Sequence, residues 1–327
     1  MAQGCRTAQW KGRVITMAEK RMAYLAAIVY AFIIGLSFMF VKLTLTVATP
    51  LDTLAHRFTV AFLAATLFIL FTKHKVNIGW HDVAQIAPLA TLYPILFFGF
   101  QIFGLARTTS SEAGIIQSTV PIFTLLLAVF ILKEKAGRGQ LISVFLSVFG
   151  VIYLLAMSGA ESQTANIVGS VLIILSAFTN ALYNVLARRL TQRYSLLTLT
   201  YIMTLFGFIA FNSLAIGSRM LAGTVGEFFQ PLLHWQFVVA VLYLGILSSL
   251  VTSFLANFVL SKIEAAKMSV FSNVATLITI LAGILFLQEA FHFYHVIGGM
   301  MIITGVVGTN LLGARSKAKE KAKDVEE

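Results

Sequence analysis

The chain has 327 residues, 58% of them hydrophobic and only 11% charged, where an ordinary soluble domain carries roughly 25% charged residues. So few polar side chains cannot cover a water-facing surface; a soluble globular class is excluded and lipid is the expected solvent. The formal charge of +11 does not indicate nucleic acid, because the basic residues form short clusters between long apolar runs, and the lone Cys5 excludes a disulfide framework or a Cys-based zinc site.

The N-terminal segment 1–21 is basic (Arg6, Lys11, Arg13, Lys20, Arg21). The apolar run that follows is longer than a signal h-region and lacks an A-x-A site, so it reads as the first membrane span. Met17 opens MAEKRMAYLAAIVYA like a natural start, with residues 1–16 as an upstream extension, which N-terminal sequencing tests. Ten spans of about 20 apolar residues are expected, at 24–45, 51–71, 83–105, 110–132, 139–157, 167–187, 196–217, 236–259, 267–288 and 293–313. Thr49-Pro50, Lys73-His74-Lys75, Lys133 to Gly139, Ser158 to Asn166, Arg188 to Arg193 and Gly217 to Trp235 mark joints between them. Backbone groups in hydrocarbon must pair within their own segment, so the spans are helices.

An even number of spans puts both termini on one side, and 20 of the 24 Lys and Arg fall on that side. The positive-inside rule makes it cytoplasmic. Of the other four, Arg107 and Arg219 lie in outer loops, and Lys42 and Arg57 lie at outer helix ends. The basic tail, 314–327, reads as solvated or headgroup-facing.

A gap-free shift of 155 residues lays 105–155 over 260–310, superposing Glu134 on Glu289, Gly150-Val151 on Gly305-Val306, and Thr124 on Thr279. The first and sixth spans also match, GLSFMFVK (Gly35–Lys42) over ALYNVLAR (Ala181–Arg188). A five-helix unit has an odd number of spans, so two copies have opposite orientations. The expected fold class is therefore an all-α integral membrane protein of ten transmembrane helices in two inverted repeats, which favours alternating access at a central site. The domain boundaries are 22–157 and 167–313 for the repeats, with 158–166 as an external linker.

With these features the sequence resembles the EamA-type drug/metabolite transporter superfamily. The likeness rests on Pro50 to Arg57-Phe58, on TTSSEAGIIQSTVPIFTLLLAVFILKE (Thr108–Glu134), and on the segment from Leu244 to Glu289. It runs from about Met17 to Gly313. The first span departs from it, with Gly35-Leu36-Ser37 where many members carry Trp-Gly-Ser. The resemblance implies a bacterial inner-membrane secondary transporter exporting amino acids, related metabolites or drugs.

Polar side chains in hydrocarbon are costly unless they face a cavity or another helix, so their faces carry information. Asn180, Tyr183 and Asn184 share one face of the sixth span and form the preferred substrate patch, with interhelical bonding as the alternative. Gln117 lies on one face with Gly114 and Pro121, and Ser272 and Asn273 share a face with Ser269 and Thr276 in the repeat-equivalent ninth span. Pro121 removes a backbone donor in mid-helix. Tyr30, Ser37 and Gln101 add polar atoms that could line the same cavity. Lys42, Arg57 and Glu112 form an outer charge cluster in which Glu112 is expected to pair with Lys42 or Arg57, as a gate, a fixed staple or a proton-coupling acid. Glu134 and Glu289 are read as structural ligands of loop amides. The serines and glycines at Ser143, Ser147, Gly150, Gly298 and Gly305 are read as helix contacts.

An enzyme lacks support, with no H-E-x-x-H, G-x-S-x-G or Walker A sequence, and His292 and His295 read as wetted interfacial groups. A channel needs rings of like groups, and a sensor needs an output domain that no joint is long enough to hold. What remains is a carrier without a cofactor or metal. Its expected partners are a small-molecule substrate and the bilayer, with a proton as candidate coupling ion and a homodimer left open. The proposed cavity residues are uncharged and cations lie only at the rim, which fits a small zwitterion or neutral metabolite. An uptake carrier of the same fold is the alternative.

Overall fold

The computed structural model describes residues 17–72, 79–132, 137–161, 165–191, 193–263, 265–290 and 292–326, and their regular structure is helical throughout. In chain order the helices are α1 (Met17–Thr44), α2 (Pro50–Thr72), α3 (Trp80–Leu105), α4 (Ser110–Ile131), α5 (Arg138–Glu161), α6 (Ala165–Leu190), α7 (Leu196–Ala222), α8 (Trp235–Lys262), α9 (Ala265–Leu287) and α10 (Phe293–Glu326). Seven of them, α1 to α4 and α6 to α8, are long and apolar enough to cross a membrane. α5, α9 and α10 contain shorter apolar stretches, at Gly139–Leu154, Val274–Leu287 and Phe293–Gly308. This is a multi-pass membrane protein. Phe68, Phe71, Phe130, Phe145 and Phe286 are exposed on its outside, where lipid would cover them.

The helix ends follow local chemistry. Thr49 precedes Pro50 at the start of α2; its hydroxyl accepts from the Asp52 amide at 3.2 Å and donates to the Asp52 carboxylate at 2.7 Å, so one threonine satisfies an orphan donor and orients an acid near the positive helix end. The Thr109 hydroxyl likewise accepts from the Glu112 amide at the start of α4, and the Ser195 hydroxyl from the Thr198 amide at the start of α7. The expected end of the seventh span at Gly217 is corrected: α7 runs on through Arg219 to Ala222. The stop is Gly223, whose φ of 70° closes the helix while the amides of Gly223 and Thr224 reach back to Met220 O and Arg219 O. The 3-10 segment Val225–Leu233 then occupies about half of what was read as a loop.

Three helices depart from regular α geometry. α3 is broken at Thr91–Leu96, where Tyr93 has φ −139° and ψ 113°; Pro94 follows, lacking an N–H and disfavouring a helical residue before it. α8 is π-helical over Tyr243–Val251. α4 divides at Ser118 and Thr119, just before Pro121, whose missing N–H leaves Gln117 O without its intrahelical donor.

α5 packs against α10, α1 against α9 and α8, α2 against α7 and α8, α3 against α6 and α7, and α4 against α6 and α9. Small residues set the closest approaches. A Cβ on Gly35 would lie 2.8 Å from Ala275 O, and one on Gly150 would lie 3.0 Å from Gly298 O. Ser147 Oγ donates across the α5–α10 seam to Ile302 O at 2.9 Å. These close approaches match the contact roles read from the sequence for Ser147, Gly150, Gly298 and Gly305.

Candidate functional site

Where α1, α3, α4, α6 and α9 meet, a cavity of about 20 Å³ is lined by Tyr30, Ile34, Phe38, Phe97, Gln101, Gly114, Gln117, Asn180, Ala275, Thr276 and Thr279. That volume holds about one water. The walls combine three aromatic rings with amides and hydroxyls, and their hydrogen bonding is uneven. Thr276 Oγ1 donates to Gly114 O at 2.8 Å, and Thr279 Oγ1 is close to both Gly35 O and Ala275 O at 2.9 Å, so both threonines are engaged with backbone.

The other polar lining groups keep hydrogen-bonding capacity unused. Gln117 Nε2 donates to Ser176 Oγ at 3.2 Å, while its Oε1 is buried without a partner. Turning the amide over exchanges the two atoms and still leaves one unbonded. Tyr30, Gln101 and Asn180 make no side-chain hydrogen bond among the described residues although each is at most 9% exposed. Buried polar groups are ordinarily paired, so four of them around one cavity are poised for a polar ligand.

The expected site residues therefore divide. Tyr30, Gln101, Gln117 and Asn180 come together at the cavity. Ser37 lies elsewhere and donates to Ile34 O at 2.6 Å within its own helix. Tyr183 turns away and donates to Asn257 Oδ1 at 2.7 Å, while Asn257 Nδ2 donates to Thr200 Oγ1 at 3.2 Å, tying α6 to α8 and α7. Asn184 is buried but is not a lining residue. The side chains of Ser272 and Asn273, and all of Glu134, lie outside the described residues. Thr279 and the aromatic wall at Phe38 and Phe97 were not among the expected residues. The only sequence signal for Thr279 was its alignment with Thr124.

The outer charge cluster is rearranged relative to expectation. Arg57 does not bond Glu112: it is 1% exposed, with Nε donating to Ser249 Oγ at 2.7 Å and Nη2 to Ser248 Oγ at 3.0 Å and Ser248 O at 3.2 Å, and its guanidinium lies 4.0 Å above the Phe98 ring. Two helical turns into α2, the arginine is buried against α8 and α3 and is no rim residue. Glu112 accepts from Thr108 Oγ1 and Ser170 Oγ, both at 2.6 Å. Lys42, partly buried at the end of α1, stands within electrostatic reach of Glu289 and Glu112.

A further group of charges holds the same end of the bundle. Asp52, 1% exposed, accepts from Arg219 Nη2 at 2.6 Å and Nε at 3.3 Å, and Arg219 Nη1 reaches Glu227 at 2.6 Å. This links α2, α7 and the 3-10 segment beside a cavity of about 230 Å³. His56 Nε2 donates to Phe228 O at 2.8 Å and stacks on its ring, fastening the same segment.

Glu289, in the joint after α9, accepts from the amides of Ser110 and Ser111 at 2.6 and 2.9 Å and from Ser111 Oγ at 2.7 Å, at the positive end of α4. It thus does bond backbone amides, as expected. Burial opposes its ionisation, but the Ser111 hydroxyl and the two amides outweigh that and hold its carboxyl below the ordinary 4.5. A depressed carboxyl pKa contributes stability that is complete above the ordinary value and is lost as pH falls through the lowered one. Glu289→Gln should cost about 1 kcal/mol at pH 7, the usual worth of a cap. Below about pH 4.5 the melting midpoint of the wild type should fall more steeply with acidification than that of the variant. Parallel slopes would show that Glu289 is not the titrating clamp.

A family model described as the EamA-like transporter family matches residues 21–156 and again 167–311. The chain is 53% identical over 293 residues to the protein named uncharacterized transporter YcxC of Bacillus subtilis (strain 168), covering 90% of this chain and 94% of that one. It is 23% identical over 295 residues to a probable amino-acid metabolite efflux pump of Escherichia coli (strain K12), covering 88% and 94% respectively. One solved crystal structure shares the fold with a TM-score of 0.62 at 16% identity, covering 90% of this chain and 98% of its own.

Proposed function

We propose, on the premise that this chain belongs to the EamA-like transporter family, that it exports small metabolites, amino acids or related compounds, across the bacterial inner membrane by alternating access. The observation that carries this reading is the convergence of Tyr30, Gln101, Gln117 and Asn180, with unspent hydrogen-bonding capacity, on one central cavity. At about 20 Å³ the cavity is too small for a metabolite, so the helices around it must part for binding and close for passage. Differential contacts of substrate with the two arrangements then shift the balance between them. The efflux-pump name of the relative from E. coli supports the outward direction.

The architecture is read as ten spans in two inverted five-helix repeats, 22–157 and 167–313, joined by 158–166, with both termini cytoplasmic. Three observations support it. The family model matches twice. Exchanging each helix for its counterpart five positions along maps the packing pairs onto one another: α1–α9 onto α6–α4, α3–α6 onto α8–α1, α2–α8 onto α7–α3, while α2–α7, α4–α9 and α5–α10 map onto themselves. The shift of 155 residues also carries the break at Thr91–Leu96 onto 246–251, inside the π-helix of α8. Non-α segments at equivalent places are where two halves would flex against each other. A proton is the proposed coupling ion, and a homodimer is compatible with the lipid-facing surface.

Metabolite profiling of medium and cytosol from overproducing cells, beside an empty vector, tests the function. One compound should appear faster in the medium. Accumulation in the cytosol instead would establish uptake, and unchanged pools on both sides would remove support for export.

A further inference from the structure

Arg57 is a fully buried cation whose partners among the described residues are all neutral. It is held by Ser248 and Ser249 of α8 and lies over the Phe98 ring, and its Nη1 donates to no described residue. Acids that could have compensated it are occupied elsewhere: Asp52 holds Arg219, Glu289 holds the start of α4, and Glu112 accepts from Thr108 and Ser170. Burying a charge without a counter-charge is costly in a low-dielectric setting, and an ionisable residue kept within the membrane marks a candidate for binding a substrate or ion.

The position of the charge says which ion. Phe98 meets Phe97 edge to face at 4.7 Å, and Phe97 lines the central cavity, so the guanidinium stands one aromatic layer behind the cavity wall. In the same layer Tyr93 stacks on Phe97 at 5.0 Å, within electrostatic reach of Arg57. Its hydroxyl is buried next to the hydroxyls of Thr252 and Ser253, and makes no hydrogen bond of good geometry to a described residue. A forked cation and a phenol, each with a donor to spare, match the two oxygens of a carboxylate. The intervening rings belong to α3 at and just after its break, the part of the wall least restrained by helical bonding.

We propose that Arg57, with Tyr93 beside it, is the specificity-determining anion anchor of the transport cavity, so that the substrate is a carboxylate-bearing metabolite and its carboxylate engages Nη1 when the wall of Phe97 and Phe98 moves. This rests on the central cavity being the transport site. It also replaces the sequence-based picture of an uncharged cavity with cations only at the rim. An uncompensated charge within roughly 10 Å of a bound carboxylate should favour it over a neutral analogue by about tenfold or more.

The test uses the purified full-length protein in detergent, its melting midpoint titrated with the twenty common L-amino acids and with the α-carboxamide of each. At least one acid should bind about tenfold more tightly than its amide. Arg57→Gln should bring that ratio near one, and Arg57→Lys should keep most of it. A purely structural arginine would weaken acid and amide alike and leave the ratio unchanged. A wild-type ratio near one, which needs no folded variant to measure, or a full ratio persisting in Arg57→Gln, overturns the anchor while leaving the export reading intact. Binding by neither series overturns the amino-acid reading and the anchor with it.

Discussion

Replacing Gln117 by leucine should lower transport of the exported metabolite by roughly 10- to 100-fold at unchanged expression, the kinetic equivalent of leaving a substrate polar group unpaired in a buried site. The argument turns on what the side chain does on each side. Toward the protein it donates one 3.2 Å bond to Ser176, whose hydroxyl is independently held by Phe97 O at 3.1 Å. The helix pair should therefore survive the change, and the melting midpoint should move little. Toward the cavity it offers, among the described residues, the one lining atom that is fully buried and unpartnered. Counterflow in proteoliposomes with the metabolite found by profiling separates the two effects. A variant that folds and transports at the wild-type rate would remove Gln117 from the site.

Arg219→Gln should be among the most destabilising single changes, at about 3 kcal/mol, because it strips the cation from a carboxylate that is 1% exposed. Among the described residues Asp52 would keep only Thr49 as a partner, and Glu227 and the 3-10 segment would lose their tie to α7. Arg219 itself retains 15% exposure, which keeps the cost at the low end of the range for broken buried pairs. The double variant Asp52→Asn/Arg219→Gln should recover more than half of the loss, since removing both charges leaves none buried alone. Melting midpoints of the four proteins in a double-mutant cycle give the coupling directly. A coupling near zero would mean that water already screens the pair.

Much of the scaffold was legible along the chain. Most joints between helices followed from apolar length and from Pro, Gly, Thr and Ser, because a helix in lipid must satisfy its own backbone. Outside the apolar stretches the first helix starts earlier, at Met17, and the last runs on to Glu326 through the basic tail. The misplaced end at Gly217 shows the limit. A glycine in a helix is tolerated, and only the positive φ at Gly223, a three-dimensional property, marks the stop. Polar residues in the hydrocarbon also announced themselves, since each needs a reason to be there.

Periodicity assigns a side chain to a face of its helix; it does not say which neighbour that face meets. Asn180, Tyr183 and Asn184 share one face, yet only Asn180 lines the cavity, because Asn257 on α8 draws Tyr183 away. Arg57 was read as a rim charge seeking Glu112, whereas the packing of α2 against α8 puts two serine hydroxyls in its reach. The sequence by itself determined a helical, lipid-embedded, duplicated chain and a set of polar candidates, because length, hydropathy and internal repetition are local or additive properties. Which candidates converge, and which charge is left without a counter-charge, was decided only by the tertiary structure, because those are distances between helices far apart along the chain.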